Sequence, residues 1–107
     1  METEKSRLEQ FKEFVELDPM DTFSRYALGM EYLGIAQYKE AVEQFDEVIR
    51  IAPDESPSYF QAAIASIQLD RKDVAREYLT RGIAMAEKAN DRHARDEMQA
   101  ALDQLVP

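Results

Sequence analysis

His93 is the only histidine in this sequence and the side chain that most readily suggests acid–base or metal chemistry. Asp91, Arg92, Arg95 and Asp96 surround it. A general base needs a partner that orients it and a pocket that holds the substrate, and a metal ion needs several ligands at suitable spacing. The sequence supplies neither beside His93, so we interpret it as a surface histidine.

Acidic side chains recur at three- and four-residue spacing in two segments. Such rows could hold a metal pair if inward-facing histidines accompanied them, but no other histidine is present. The same spacing describes the solvated face of a helix, which is the interpretation we adopt. The rows are Glu9, Glu13 and Glu16, and Glu40, Glu43 and Glu47.

Other ligand-binding patterns are incomplete. The acidic segment 18–28 lacks the alternating oxygen ligands and the central glycine of a calcium loop. Gly29 and Gly34 lie in or at the end of a predicted helix, so they do not form a phosphate-binding loop after a strand. No serine has a matched base. We therefore predict no catalytic residue, no metal and no cofactor, and a protein that is not an enzyme.

The composition narrows the class of partner. The 107 residues include 13 basic and 22 acidic side chains, a net charge of −9, which disfavours nucleic acid and anionic membrane surfaces. Cysteine is absent, so disulfides and thiolate metal sites are excluded. The N-terminus lacks the order of a signal peptide, and no apolar run has the length of a membrane span. We expect an acidic, soluble, cytoplasmic protein, unless the chain is a fragment.

Apolar residues recur at helical spacing almost throughout, and strand-type alternation is absent. Pro19 and Pro53 end two of the amphipathic runs, Asp21 is a good N-cap, and Ser56 with Pro57 predicts another N-cap and first turn. In the first helix we expect Leu8, Phe11, Phe14, Val15 and Leu17 to form one stripe, and in the fifth helix we expect Val74 to point inward. The six predicted helices span about residues 4–17, 22–34, 38–51, 57–69, 73–89 and 92–105.

Short connections predict antiparallel hairpins, of helices two with three and four with five. The two hairpins repeat at an offset of 34 residues, which places Gly29 on Ala63 and Phe45 on Leu79. Backward by the same offset, Phe45 falls on Phe11. We predict that small residues mark the close helix crossings, namely Gly29, Ala41, Ala63, Ala75 and Gly82.

This period and the residues of the middle unit resemble the tetratricopeptide repeat family. The matching residues are Leu28, Gly29, Tyr32, Tyr38, Ala41, Phe45 and Pro53. Arg25 stands where the family usually has a large aromatic or aliphatic residue, and Ser66 replaces an expected aromatic. The resemblance implies an all-α fold of about six helices, with antiparallel hairpins stacked in a short right-handed superhelix.

As one domain over residues 1–107, the chain would divide into a partial repeat at 7–19, repeats at 22–55 and 56–89, and a C-terminal capping helix at 92–105. The capping helix would occupy the place of the first helix of a further unit, in a register shifted by a few residues.

In this family the first helices of the repeats line a concave groove that receives a peptide or a helix of a partner. The basic and amide side chains with which some members bind a C-terminal carboxylate are absent here, so the resemblance implies an apolar groove with an acidic rim that favours basic flanks on the ligand. The matching positions are Phe23, Tyr26, Met30, Leu33, Phe60, Ile64, Ile67 and Gln68.

Two alternatives to an open groove remain: terminal helices that cover these side chains, or a homodimer that buries them. We therefore expect a non-catalytic protein-interaction module, with self-assembly into a homodimer or stacking on other repeats as the alternative function.

Overall fold

The computed structural model describes residues 5–105. Within this range the chain forms six α-helices and no strand, in an elongated body of about 53 × 28 × 20 Å. No helix in the described range is long and apolar enough to cross a membrane. The helices are α1 (Arg7–Leu17), α2 (Thr22–Gly34), α3 (Tyr38–Ile51), α4 (Pro57–Gln68), α5 (Lys72–Lys88) and α6 (Arg92–Gln104).

Capping side chains account for three of the helix starts. Ser6 accepts a hydrogen bond from the Glu9 N–H, and Asp91 accepts one from the Ala94 N–H at 3.0 Å. Asp21 caps α2, as the sequence predicted. At α4 the prediction is only half right: Pro57 is the first helical residue, but Ser56 makes no side-chain cap bond, because its backbone is already helical and its side chain is buried.

The turns inside the two hairpins repeat the same geometry 34 residues apart. Ala36 and Asp70 have positive φ angles of 62° and 58°. One residue later, the Gln37 N–H donates to the Tyr32 carbonyl and the Arg71 N–H to the Ser66 carbonyl, both at 2.9 Å. These backbone bonds close α2 and α4 in place of a glycine cap. The offset found in the sequence is therefore an offset of backbone structure as well.

Each helix packs antiparallel on the next, and small residues mark the closest approaches, as predicted. A Cβ atom added to Gly29 would lie 2.6 Å from Phe45 Cε1, and one added to Gly82 would lie 2.5 Å from Met98 Sδ. The alanines predicted at crossings are fully buried in the shared core. Larger residues at these places would force the helices apart. The fully buried alanines are Ala41, Ala63 and Ala75.

Three side chains that the periodicity placed inward are exposed instead. Leu17 is 83% exposed and Phe14 48% exposed, because α1 has a helical neighbour only on its α2 side within the described residues. Val74 lies in the first turn of α5 on the outward side and is also exposed. Periodicity identifies an amphipathic face, but burial also requires an element to cover that face. Glu4, the predicted start of the first helix, lies outside the described residues.

Candidate functional site

Two adjoining depressions lie at the N-terminal ends of α2, α4 and α6. They share Pro57, so together they form one continuous surface, which we call the groove. Each has a volume of about 300 Å³. The first lies between α2 and α4 and is lined by Thr22, Phe23, Tyr26, Glu55, Pro57 and Ser58. The second lies between α4 and α6 and is lined by Ser56, Pro57, Phe60, Gln61, Asp91, His93, Ala94, Glu97 and Met98.

Phe23 dominates the first depression and is 75% exposed. The Asp21 carboxylate accepts hydrogen bonds from the Phe23 N–H at 3.2 Å and from the Ser24 hydroxyl at 2.7 Å, which fixes the first turn of α2 and the position of Phe23. Tyr26 packs its ring on Phe45, with centroids 5.7 Å apart. Burial raises the pKa of Tyr26, and a hydrogen bond with Gln61 opposes that shift.

Opposite Phe23, the wall of the first depression is the loop before α4, which side-chain contacts hold in place. The Tyr59 hydroxyl donates to the Pro53 carbonyl at 2.8 Å, and the Arg81 guanidinium lies 5.2 Å from the centre of the Tyr59 ring. Tyr59 is itself buried. These contacts connect the loop before α4 to the core, so Pro57 presents a fixed apolar surface opposite Phe23.

α6 forms the far wall of the second depression. Met98 is buried against Gly82, and the shorter Ala94 leaves room beside Phe60. His93 is 88% exposed and pairs with Glu97 at 2.6 Å, which confirms that it is a surface histidine. Among the described residues no group of three or more acidic, histidine or cysteine side chains is placed to hold a metal ion.

The rim of the groove is acidic. The carboxylates of Glu55, Asp91 and Glu97 lie among the lining residues. Among residues 5–105 no lysine or arginine lines either depression, and His93 is the only basic side chain that does. The field at the rim therefore favours a positively charged ligand over an acidic one.

The groove contains three of the eight positions that the sequence analysis singled out. Phe23 and Tyr26 line the first depression, and Phe60 lines the second. The remaining five lie farther along α2 and α4, outside both depressions. Met30 and Gln68 are exposed there, and Leu33, Ile64 and Ile67 are partly buried.

Within residues 5–105 none of the eight predicted positions is fully buried, and Phe23 is exposed.

Several lining residues were missed, although the repeat offset points to them. Adding 34 to Phe23 gives Pro57, and adding 34 to Pro57 and Phe60 gives Asp91 and Ala94. All of these line the groove. The inward face of α6 does not keep this register, because Asp96 and Glu97, the counterparts of the buried Ala62 and Ala63, are exposed and Met98 is buried instead.

Comparisons with known proteins agree on one family. A family model described as tetratricopeptide repeat matches residues 24–55 and 56–88. A tetratricopeptide repeat domain protein from Salinibacter ruber is 31% identical, with a TM-score of 0.76 over 82% of this chain and 89% of that one. No curated protein sequence matches the chain.

Two solved complexes share the fold at lower identity. PcrH in complex with the chaperone binding region of PopD is 20% identical, with a TM-score of 0.88 over 92% of this chain and 74% of that one. The TPR2B domain of yeast Sti1 in complex with pHsp70 is 16% identical, with a TM-score of 0.86 over 92% of this chain and 78% of that one. At these identities the likeness concerns the fold.

Proposed function

This chain belongs to the tetratricopeptide repeat family, and from that premise we propose that it is a non-catalytic module that binds a helix or an extended segment of a partner protein in the groove. The ligand would place apolar side chains against Phe23, Tyr26 and Phe60 and basic side chains near the acidic rim. The positions farther along α2 and α4, from Met30 to Ile67, would extend the contact for a longer ligand.

The observation that carries this proposal is the exposure of Phe23. A phenylalanine that is 75% exposed keeps most of its apolar surface in water, at a cost of about 25 cal/mol for each Å². It does so in a depression whose other walls, Tyr26 and Pro57, are held by the core and by a braced loop. A preformed apolar depression with an aromatic anchor and a polar rim is the usual form of a binding hot spot.

The chemistry of the ligand follows from the lining. The two depressions are adjoining and each accommodates about one or two side chains, which suits apolar residues at helical or alternate spacing. Glu55, Asp91 and Glu97 would pair with lysine or arginine flanking those residues. Such rim charges contribute more to specificity and association rate than to affinity.

The solved complexes with PopD and pHsp70 support the proposal, since the same fold binds protein segments in both.

A display library of random 16-residue peptides tests the proposal without a known partner. Selection on the wild-type chain should enrich peptides that combine two or three large apolar residues with lysine or arginine. A selected peptide, measured by fluorescence anisotropy, should bind at least about tenfold more weakly to Phe23→Glu, because the substitution places a charge on the anchor. Phe23 is too exposed for this change to affect folding, which circular dichroism would verify.

Val74→Glu is the matched control, because Val74 is also an exposed apolar residue but lies on α5, away from the groove. It should bind the peptide with unchanged affinity. The proposal is rejected if the selected peptides bind Phe23→Glu as tightly as the wild type, or if no peptide with apolar anchors is enriched.

A further inference from the structure

One flank of α1 is apolar and exposed. Phe14 and Leu17 project from it, and the Phe14 ring lies edge-on against Phe11, with ring centroids 5.9 Å apart and planes at 71°. Within residues 5–105 no element covers this flank. It belongs to a helix that corresponds to the second helix of a repeat, so it is separate from the groove, which the first helices form.

The sequence of this flank occurs twice. Glu9-Gln10-Phe11 in α1 is repeated as Glu43-Gln44-Phe45 in α3, 34 residues later. In α3 the same surface is buried: Phe45, which packs on Gly29 and Tyr26 of α2, is fully buried, and Val48, the counterpart of Phe14, is 1% exposed. The packing of α2 on α3 therefore shows which kind of helix fits this surface.

Two contacts define that fit. The Arg25 guanidinium of α2 donates to Gln44 Oε1 at 3.1 Å. One helical turn later Gly29 meets the Phe45 ring, and even a methyl group there would lie 2.6 Å from Phe45 Cε1. The covering helix thus combines a basic donor with a small residue four positions later.

On α1 the counterparts of Gln44 and Phe45 are Gln10 and Phe11, and neither contacts such a helix within the described residues. The side-chain Nε2–H of Gln10 donates to the Lys5 carbonyl at 3.2 Å, and the side-chain oxygen of Gln10 has no hydrogen-bond donor among the described residues. Phe11 is only partly buried, so a small residue could pack on it as Gly29 packs on Phe45. Phe14 is larger than its counterpart Val48 and offers additional apolar area.

We propose that this flank of α1 is a second docking site, which receives an amphipathic helix of a partner protein in the position that α2 takes on α3. The helix carries arginine or lysine facing Gln10, glycine one turn later facing Phe11, and apolar residues over Phe14. It completes the half repeat that α1 begins.

A second copy of this chain fits the site poorly. α6 is the helix whose place in the repeat would suit the position, but the residues four after its basic side chains are Asp96, Glu97 and Gln99, none of them small. Two α1 helices facing each other would oppose the acidic row Glu9, Glu13 and Glu16, in chains of net charge −9. A foreign helix with a basic residue facing Gln10 and a glycine four positions later avoids both conflicts.

The chain's own α2 sequence supplies the probe. A synthetic peptide of residues 20–36 with blocked ends should bind the full chain with a Kd of about 0.1–1 mM, since a short peptide must become helical on binding. Amide chemical shifts in nuclear magnetic resonance spectra should change most at Gln10, Phe11 and Phe14. A peptide with Gly29→Leu should not bind, because its side chain would meet the Phe11 ring.

Phe14→Glu in the chain should weaken binding at least about tenfold, whereas Val74→Glu should leave it unchanged. Gln10→Lys is a second variant at an exposed position, and it should weaken binding by repelling the arginine of the peptide. The proposal is overturned if the peptide causes no shifts at α1, if it binds by displacing α2 from α3, or if both α1 variants bind it normally. Phe14-dependent self-association in sedimentation would also overturn it, because the occupant would then be a second copy.

None of these outcomes depends on Phe23, so this experiment tests the docking site on α1 independently of the groove.

Discussion

Replacing Gly29 by alanine should destabilise the fold, although alanine is the better helix former. The new methyl group would lie 2.6 Å from Phe45 Cε1 and 2.9 Å from Cζ. Phe45 is fully buried and its ring packs on Tyr26, so it has no free space into which it can turn. Overpacking of this kind costs about 1–3 kcal/mol, and the gain in helix propensity offsets about 1 kcal/mol. The net loss should be about 1 kcal/mol.

Gly34→Ala is the matched control, because it makes the same substitution in the same helix where no atom lies within 4 Å of the new methyl group. The φ angle of Gly34 is not positive, so alanine should stabilise the chain by about 0.4–1 kcal/mol. Urea titration followed by circular dichroism should therefore separate the two variants by about 1–2 kcal/mol, with thermal midpoints several degrees apart.

A double-mutant cycle identifies the cause. In a Phe45→Leu background the ring edge is gone, and Gly29→Ala should no longer be destabilising. The reasoning is refuted if Gly29→Ala is as stable as Gly34→Ala, or if its cost is the same in the Phe45→Leu background. Either result would mean that the close crossing of α2 and α3 does not require a residue without a side chain.

Two further predictions concern hydrogen bonds that connect different elements of the fold. Tyr78→Phe should cost about 0.5–1.5 kcal/mol, because Tyr78 donates a hydrogen bond to Asp46. Burial and this bond raise the pKa of Tyr78 above its value of about 10 in the unfolded chain. The neutral tyrosine therefore contributes fully to stability below about pH 10, and this contribution is lost as the pH rises further. The urea midpoint of the wild type should fall between about pH 9 and pH 11, and the midpoint of Tyr78→Phe should fall less steeply. Arg25→Met should cost about 1 kcal/mol in the same titration, since it removes hydrogen bonds to the Pro19 carbonyl and Gln44, and an equally stable variant would contradict that role.

Local signals in the sequence predicted the helices well. Asp21 is the cap of α2, α3 runs from Tyr38 to Ile51 as expected, and Pro19 and Pro53 follow the ends of α1 and α3. These features depend on single side chains and their immediate neighbours. The small residues at the crossings were also predictable, because the repeat aligns them and close packing restricts their size.

The exposed residues of α1 show where this approach fails. Phe14 and Val48 have equivalent positions in the repeat, yet one is exposed and the other buried, because α3 has a helix on each flank and α1 has one. The positive φ of Ala36 was also unpredictable, since alanine gives no signal for that conformation and the hydrogen bonds of the turn impose it.

The candidate site was predicted in part. The family resemblance singled out Phe23 and Tyr26 on α2 and Phe60 on α4, and these three residues line the depressions. It did not indicate that the depressions lie at the N-terminal ends of the helices, because their position depends on the angles between neighbouring helices and on the loop that Tyr59 holds. Nor did it reveal the lining that α6 and its N-cap contribute. Asp91 and Ala94 are found only when the offset of 34 residues is added to Pro57 and Phe60.

The central claim is that the open groove between α2, α4 and α6 is a binding surface. Mapping the amide chemical shifts of the chain while it is saturated with a peptide selected from the library tests this claim most directly. We predict that the largest changes occur at Phe23, Tyr26 and Phe60, and that they disappear in Phe23→Glu. Changes concentrated on the opposite side, around Asp46 and Tyr78, with none in the groove, would contradict it.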